Sequence, residues 1–472
     1  MHGSEQETNK KEKPIPSIGD KKPSRLKQLN VFIQRDVLSK IHNTQYLLIN
    51  FLEAPLLAFI LAYFLKYYKE NSPYIFRENI NLVAYIFMSV IVALFMGLTV
   101  SAEEIIRDRK ILKREAFLNL SRSSYLSSKT AVMFLISAIQ TLTFVLIGNT
   151  IFGVKEMYFD YWLMLFSVSC FANLLGLNIS SAFNSAVTIY ILIPFLIIPQ
   201  IILSGVIVKF EKLNPSVTVQ NKVPVIGELM ASRWAFEALT VNQFKNNRYE
   251  QIFFDVDKKM SESTYKNYWL QKMNDKLDSL HLKKFGKSFN DEIVFLQNEL
   301  EKELKTNQEI KFDNSSEIKL TVFDEAIYQK VKTYLEKLKK YYVSQYNRAM
   351  TQKDQITKAI LKNKDGGKKL TFLMDNYTND NLNDFVKNAH ENPVEQGKHE
   401  LIQRYQPVFM DGSYNSFVRT QFFVSRKNVM GNYFSTWQVN LAVIWVMSFI
   451  LVLTLYFNVL KKTIRKIENS FK

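Results

Sequence analysis

Six apolar stretches constrain the fold of this chain more than any other feature of its sequence. Each is about 17–24 residues long, and a helix of about 20 residues crosses the ~30 Å hydrocarbon core of a membrane. Lipid offers the backbone no hydrogen-bond partners, so stretches of this length are predicted to be helices that satisfy their own N–H and C=O groups. The sequence therefore predicts an all-α polytopic membrane protein. The six predicted spans are Leu47–Tyr67, Leu82–Val100, Ala131–Phe152, Tyr161–Leu177, Ala186–Val208 and Trp437–Leu460.

The positive charge of the chain is distributed unevenly. The net charge is +17, but Lys and Arg are concentrated in the N-terminal arm, between spans two and three, and after span six. The loop between spans three and four holds only Lys155. This positive-inside pattern predicts cytoplasmic termini and an external polar segment after span five, and no nucleic-acid partner is expected. The abundance of Lys, Asn, Ile and Phe suits an AT-rich bacterial genome, so the expected location is a bacterial inner (cytoplasmic) membrane.

The polarity pattern divides the chain into segments. A helix near the N-terminus has one apolar face, with Lys27, Arg35 and Lys40 opposite it, and either lies on the inner membrane surface or packs against the bundle. The polar segment shows helical spacing and one candidate hairpin at 310–323, which predicts a mainly helical α+β domain. The segments are a disordered linker at 1–24, an amphipathic connecting helix at 25–45, spans one to five at 46–210, an extracytoplasmic domain at 211–435, span six at 436–465 and a cytoplasmic tail at 466–472.

The stretch between spans two and three, residues 101–129, is charged and helical in propensity, and it is predicted to join the two spans without a break. A simple turn would not need this length, whereas a rigid charged helix can bind a cytoplasmic partner and transmit its movement to the bundle. The stretch is therefore predicted to be a rigid helix that docks a cytoplasmic partner and transmits its movement. Its motif residues are Arg114–Glu115, then Ser123, Tyr125, Ser128 and Lys129.

A second motif follows span five, where Ser204–Gly205 precede Pro224 and the sequence SRWAFEAL at 232–239. Together the two motifs resemble the membrane domain of the ABCG (White) family of ATP-binding-cassette exporters, over roughly residues 25–240 and 430–465. In that family a coupling helix follows the second span, and a proline-bearing re-entrant segment follows the fifth. The resemblance implies a re-entrant segment near 213–240, but the external insert is far longer than the loop usual in the family. The structural motif residues implied are Ser204, Gly205, Arg233 and Glu237.

The resemblance also implies partners and site residues. The chain is expected to pair with a second copy of itself, to sit in the lipid bilayer, and to bind an ABC nucleotide-binding domain that holds ATP and Mg²⁺. The residues expected to transmit motion from that ATPase are Glu104, Arg107, Arg114 and Glu115. The residues expected to line a substrate path between two copies are Met88, Ile91, Phe95, Thr99, Leu192, Phe195, Leu196 and Leu203, each of which could instead face lipid or pack in the bundle.

The chain is not expected to hydrolyse ATP by itself. A phosphate-binding loop needs a glycine at position 281, before Gly286-Lys287-Ser288, and this position is His281. The nucleotide-binding domain is therefore expected on a separate chain or in a missing N-terminal portion. The five histidines are scattered without zinc-ligand spacing, so neither a metal site nor a cofactor is expected on this chain.

These features predict the membrane permease of an ATP-driven exporter for a lipid or another amphipathic substrate. A different function is also compatible with the sequence, because the external domain is unusually large. In that alternative, ATP-driven motion of the bundle acts on the external domain and an envelope partner without carrying cargo. A transporter requires a cavity between spans two and five, whereas the cargo-free alternative requires an occluded interface there.

Overall fold

The computed structural model describes residues 23–69, 71–114, 120–214, 216, 223–282, 289–307, 309–312, 324–397, 400–412 and 421–470. Most of the linker predicted at 1–24, the second strand of the predicted hairpin and residues 283–288 lie outside these ranges. The membrane part contains α1 Arg25–Ile41, α2 Thr44–Leu65, α3 Leu82–Ala102, α4 Glu104–Arg114, α5 Arg122–Phe152, α6 Tyr158–Ala182, α7 Ala186–Ile202, α15 Thr436–Tyr456 and α16 Val459–Ser470.

Five helices in the described part of the chain are long and apolar enough to cross a membrane. They are α2, α3 together with α4, α5, α6 and α15, while α7 is apolar but has only 17 residues. The predicted fold class is confirmed, and the chain is an integral membrane protein. We call the end of the bundle at which α4 lies the α4 end, and the end that carries the polar domain the domain end.

Three predicted segments are interrupted in the structure. The predicted fifth span is too long, because α7 ends at Ile202 and the chain turns at Gly205, where φ is +79°. A side chain at Gly205 would also collide with the Phe210 ring, 2.5 Å from the position of a Cβ. The predicted sixth span is likewise split, since α15 ends at Tyr456 and Asn458 turns the chain with φ +52° into α16. The stretch at 101–129 is also not one helix, because Glu103 separates α3 from α4 and α5 begins at Arg122.

The centre of the bundle is a close contact between α3 and α6. Gly97 of α3 lies against α6 so closely that a Cβ would stand 2.5 Å from the Ser169 carbonyl oxygen and 2.7 Å from the Ala172 Cβ. Gly176 of α6 lies equally close to Ser101 of α3. Small residues at both contacts let the two backbones approach, which is the usual route to tight helix packing inside a membrane.

The polar domain is mainly helical. It is preceded by α8 Val225–Glu228 and α9 Ala231–Lys245, which pack against the bundle, and it contains α10 Glu250–Leu282, α11 Phe289–Thr306, α12 Glu325–Leu361, α13 Gly366–Tyr377 and α14 Asp380–Lys387. Two antiparallel hairpins complete its described part, β1 Val394–Gln396 with β2 Leu401–Gln403 and β3 Arg426–Val429 with β4 Asn432–Ser435. Its separate apolar core is built by α10, α11 and α12, with Trp269, Met273, Leu277, Leu296, Leu335 and Leu338 at its centre.

Several contacts attach the polar domain to the bundle, and two sets of them lie at its joints with α9 and with the loop between α2 and α3. The short connection between α9 and α10 is cross-linked by Asn247, whose side chain accepts from the Glu250 N–H at 2.8 Å and donates to the Phe244 carbonyl at 2.6 Å. On the other side, the Asn379 amide donates to the carbonyls of Phe76 at 2.9 Å and Asn79 at 2.7 Å, in the loop between α2 and α3. The domain is therefore held at its beginning and again at Asn379, just before α14.

Replacing Gly97 by Val should destabilise the bundle, because the added carbons have no space between α3 and α6. We expect a loss of about 2 kcal/mol in the free energy of unfolding. Thermal denaturation of the detergent-purified chain would measure it. Gly367→Ala is the matched control, since a Cβ there meets only Leu361 at 3.9 Å. Equal melting temperatures for both variants would contradict the tight contact.

Glu250 at the start of α10 should make the polar domain sensitive to pH. Its side chain is buried, one carboxylate oxygen has no hydrogen-bond partner among the described residues, and burial raises its pKa from 4.5 to about 7. Because the folded state binds this proton more tightly than the unfolded chain does, the contribution of Glu250 to stability is fully present below pH 4.5 and falls by about 3 kcal/mol between pH 4.5 and 7. Hydrogen exchange of α10 amides should show this fall.

The change Glu250→Gln should remove that pH dependence and slow α10 exchange above pH 7. Glu336→Gln, at an exposed position of α12, is the control and should leave the pH profile unchanged. A Glu250→Gln variant with the original pH profile would show that Glu250 stays ionised in the folded chain.

Candidate functional site

A cluster of charged side chains joins three helices at the α4 end. Lys129 of α5 contacts the Asp36 carboxylate of α1. It also lies 3.0 Å from the Glu104 carboxylate and 2.9 Å from the Asp108 carboxylate, both on α4. Lys40 of α1 donates to Asp36 at 2.9 Å and to Glu104 at 2.8 Å. These five residues, which we call the coupling cluster, form one network across α1, α4 and α5.

The coupling cluster is almost completely removed from solvent. The Glu104 side chain is 2% exposed and that of Lys129 is 3% exposed. An isolated charge would not stay ionised at such a depth, but every carboxylate of the cluster has a cationic partner. Burial alone would raise the pKa of Asp36, yet the charges of Lys129 and Lys40 outweigh this effect and hold that pKa below its ordinary value of 3.8.

Contacts with the end of α6 fix α4 from another side. The Ser180 hydroxyl accepts from the first N–H groups of α4, those of Ile105 at 3.1 Å and Ile106 at 3.2 Å. Farther along α4, the Arg109 guanidinium donates to the carbonyls of Ser181 at 3.2 Å and of Phe183. A cation is favourable there, because these carbonyls form the negative end of the α6 dipole. A displacement of α4 must therefore move α1, α5 and α6 with it.

The outward side of α4 is basic. Arg107, Lys110, Lys113 and Arg114 are all exposed, and their spacing places them on neighbouring turns of the helix. We call these four residues the basic face. The helix thus turns Glu104 and Asp108 toward its own chain and the four cations of the basic face outward. Such a surface favours an acidic partner, both in encounter and in orientation.

A second buried charge cluster lies at the domain end. Glu237 of α9 accepts from Lys427 of β3 at 2.7 Å and from Asn440 of α15 at 2.8 Å. Arg233, one turn before Glu237, lies 3.6 Å from that carboxylate, and its guanidinium stacks on the Trp234 ring at 3.9 Å. Burial would raise the pKa of Glu237, but Lys427 and Arg233 lower it more strongly. This cluster ties α9, the polar domain and α15 together.

The faces of α3 and α7 that point away from the bundle core are apolar. On α3, Met88 and Phe95 are two turns apart and about 40% exposed. On α7 the exposed side chains recur with helical spacing, and together with Met88 and Phe95 they form what we call the open face. The α7 members of the open face are Val187, Ile191, Phe195, Ile198 and Ile202.

Comparison with known proteins identifies the membrane part of the chain. Residues 27–244 match the family described as ABC-2 type transporter. That part of the chain, which we call the ABC-2 domain, is similar to the membrane domains of ABC-2 type transporters. A curated relative, the ABC transporter G family member STR of Medicago truncatula, is 24% identical over 239 residues. The alignment covers 49% of this chain and 28% of the relative, so the chain spans less than a third of that protein. The expected ABCG-like character of the permease domain is confirmed.

The structure assigns different positions to the four residues expected to transmit motion. Glu104 is buried in the coupling cluster, so it contacts α1 and α5 rather than the surface of a partner. Arg107 and Arg114 lie on the basic face, and Arg107 also contacts Glu104 at 2.9 Å. Glu115 lies outside the described residues. Their role in transmission stays a prediction, with Glu104 inside the ABC-2 domain and the two arginines at its surface.

Sequence reasoning singled out Arg107 and Lys129 but did not foresee the coupling cluster. The amphipathic pattern of α1 placed Lys40 on the polar face with Lys27 and Arg35, whereas the structure buries Lys40 against Glu104. Asp36 was not singled out at all. Its position four residues before Lys40 was a usable signal, since that spacing places an acid and a base on one helical face.

The residues expected to line a substrate path in the ABC-2 domain divide into three groups. Met88, Phe95 and Phe195 lie on the open face. Ile91 is buried in the bundle core, which corrects its predicted place on a path surface. The half-buried residues Thr99, Leu192, Leu196 and Leu203 complete the set.

The structural motif residues of the ABC-2 domain lie together at the domain end. Ser204 donates to the Ile201 carbonyl at 2.8 Å and accepts from the Val206 N–H at 3.3 Å, which shapes the turn at Gly205. Arg233 and Glu237 lie inside the second charge cluster. Gln200 of α7 connects the two regions, because its side chain accepts from the Ser232 N–H at 3.0 Å.

Replacing Glu104 by Gln should destabilise the ABC-2 domain, because Lys40 and Lys129 would lose a carboxylate that they share in a buried site. Removal of one partner from a buried ion pair costs about 3–5 kcal/mol, and we expect a value near the lower limit because Asp36 and Asp108 remain. Thermal denaturation would measure it. Arg114→Gln, an exposed change on the same helix, should stay within about 0.5 kcal/mol of the parent. Equal stabilities of the two variants would refute the buried network.

Proposed function

We propose that this chain is the membrane permease of an ATP-driven exporter, working as a dimer with an ATPase domain at the α4 end. The observation that carries the proposal is the two-sided character of α4. Its carboxylates bind α1 and α5 through buried charges, while its basic face remains available to an acidic partner. A helix of this kind can be displaced by a bound partner and transmit that displacement to the helices of the bundle.

The proposed mechanism begins on the basic face. ATP and Mg²⁺ would be held by the ATPase domain, on a separate subunit or on another part of a longer protein, and closure of two such domains would move α4. The coupling cluster and the contacts of Arg109 with α6 make α1, α4, α5 and the end of α6 one mechanical unit. Alternation between an inward-open and an outward-open state would then be a rigid-body movement of this unit.

The substrate path is proposed between two copies of the chain, at the open face. This face exposes several large apolar side chains of α3 and α7, and a second copy would cover it. A path with apolar walls favours a lipid or another amphipathic substrate. The re-entrant segment α8–α9, held by Gln200 and the second charge cluster, would close this path at the domain end.

The proposed direction of transport is outward, from the cytoplasm or the inner leaflet. The positive-inside distribution of Lys and Arg supports a cytoplasmic α4 end, and the four cations of the basic face contribute to it. The polar domain would then lie outside the cytoplasm. A bacterial inner membrane is the proposed location.

A second function is favoured by the two attachments of the polar domain. The cross-linked joint at Asn247 and the Asn379 contacts with the loop between α2 and α3 would carry bundle movements into the domain. In this alternative the chain is an ATP-driven mechanical device that acts on an envelope partner. An ATP-dependent change in the polar domain, without transport of any lipid, would favour it.

Reversing charge on the basic face should release the ATPase partner. We expect that Lys110→Glu combined with Arg114→Glu reduces the ATP hydrolysis that co-purifies with the detergent-solubilised chain by about tenfold, because like charges now face the acidic partner. Both residues are exposed, so the fold should tolerate the change.

The matched control reverses Lys462 and Lys466, which are exposed on α16 near the same end of the bundle. It makes the same change in net charge but leaves α4 untouched, and it should retain the ATPase. Retention of the ATPase by both variants, or loss from both, would contradict docking on the basic face. Transport of a labelled lipid by reconstituted complexes then separates the exporter from the mechanical alternative.

A further inference from the structure

A cavity of about 380 Å³ opens at the α4 end, apart from the open face and the basic face. It lies between α1, α4, α5 and the beginning of α16, and its size is typical of small-molecule sites. Its floor is apolar, formed by Phe32, Ile105, Leu112, Tyr125 and Leu126. The proposed mechanism does not use this space.

Three cations line the rim of the cavity. Arg109 is bound to carbonyl groups at the end of α6, and Arg122 donates to the Leu455 carbonyl at 3.3 Å and to the Asn458 side chain. Lys461, on the first turn of α16, completes the rim. Among the residues that the structure describes, no carboxylate forms a salt bridge with any of the three. Burial lowers the pKa of Lys461, and the charges of Arg109, Arg465 and Arg122 lower it further. The rim is therefore a concentration of like charges to which an anion would bind favourably.

The cavity lies where the apolar part of the bundle ends. Its rim includes the first residue of α5, Arg122, and Asn458, two residues after α15 ends. Next to it, α16 is a basic amphipathic helix with Val459 and Ile467 exposed among several Lys and Arg residues. A helix of this type favours the boundary between lipid and water, and its cations favour anionic lipids.

We propose that this cavity binds one anionic phospholipid of the adjacent leaflet. Its phosphate would contact Arg109, Arg122 and Lys461, and one acyl chain would occupy the apolar floor. The three cations of the rim favour an anionic headgroup, and the apolar floor favours an acyl chain of the lipid. An acidic protein segment would satisfy the rim but would bring unsatisfied backbone groups onto that floor. The inference is independent of transport, since it rests on the cavity, its charges and its level in the membrane.

A lipid at this position would connect the parts that meet there. Arg109 belongs to α4, Arg122 to α5 and Lys461 to α16, so one phosphate would bridge three helices. The lipid would therefore complete the mechanical unit of the coupling cluster on the side where α16 lies, and the anionic lipid content of the membrane would influence the movement of α4.

Native mass spectrometry of the full chain tests the proposal. We expect the detergent-purified chain to retain one phosphatidylglycerol molecule at least tenfold more strongly than one phosphatidylcholine molecule. Lys461→Gln should abolish this preference, whereas Lys462→Gln, the same change at the exposed neighbouring position, should retain it. Leu112→Trp should fill the floor and reduce phosphatidylglycerol retention with all rim cations still present.

Three outcomes would overturn the proposal. Equal retention of the two lipids would exclude recognition of an anion. Equal loss in Lys461→Gln and Lys462→Gln would indicate general attraction to a basic surface rather than a site. Unchanged retention in Leu112→Trp, together with full competition by glycerol phosphate, would show a headgroup or free-phosphate site without an acyl chain. Melting temperatures of all variants near that of the parent chain ensure that binding, and not folding, is compared.

Discussion

The contact of Glu104 with Lys129 and Lys40 is the interaction on which the α4 end depends. The Glu104 carboxylate is almost completely shielded from solvent. It binds Lys129, 25 residues later in the sequence, and Lys40, 64 residues earlier, and so joins three helices. Apolar residues could fill the same space at similar stability, but they would tolerate sliding of one helix along another. The buried charges do not tolerate such sliding, because any shift of one helix would leave a buried ion without its partner. The network therefore fixes the register of α4 against α1 and α5.

The same physical device occurs at the domain end, around Glu237. Here the carboxylate joins α9 to β3 and to α15, and Gln200 adds a contact to α7. The bundle between the two clusters is mostly apolar and closely packed, as at Gly97. Buried charge networks make both ends of the bundle rigid, and the region between them is closely packed. This arrangement favours rigid-body movement of groups of helices over local bending.

The sequence predicted the spans well because hydrocarbon demands long apolar helices, a requirement that depends on local composition alone. It failed where a residue with positive φ turns the chain shortly after a helix, as at Gly205 and Asn458, because apolar side chains continue past both turns. The role of Glu104 was also beyond local pattern, since its partners Lys40 and Lys129 lie on two other helices. Sequence reasoning treated the charges of this region as surface charges, whereas folding divides them into a buried network and an exposed basic face.

Much of the site could be anticipated from the two sequence motifs, but not its geometry. The motifs drew attention to the region of α4 and to the segment α8–α9, and the family match covers both. What each side chain contacts follows only from the packing of helices that are distant in sequence. The cavity beside α16 is a further example, because Arg109, Arg122 and Lys461 come from three separate parts of the chain.

The joint at Asn247 has a consequence for the scale of motion in this protein. Helix α10 leaves that joint and continues for 33 residues, about 50 Å, before His281 meets Glu325 at the start of α12. A rotation of α9 by about 10° would therefore move that far tip by about 9 Å, if the joint stays rigid. With a rigid joint, α10 would amplify small rotations of the bundle, and a label at its far tip would report them at distances that spectroscopy resolves easily.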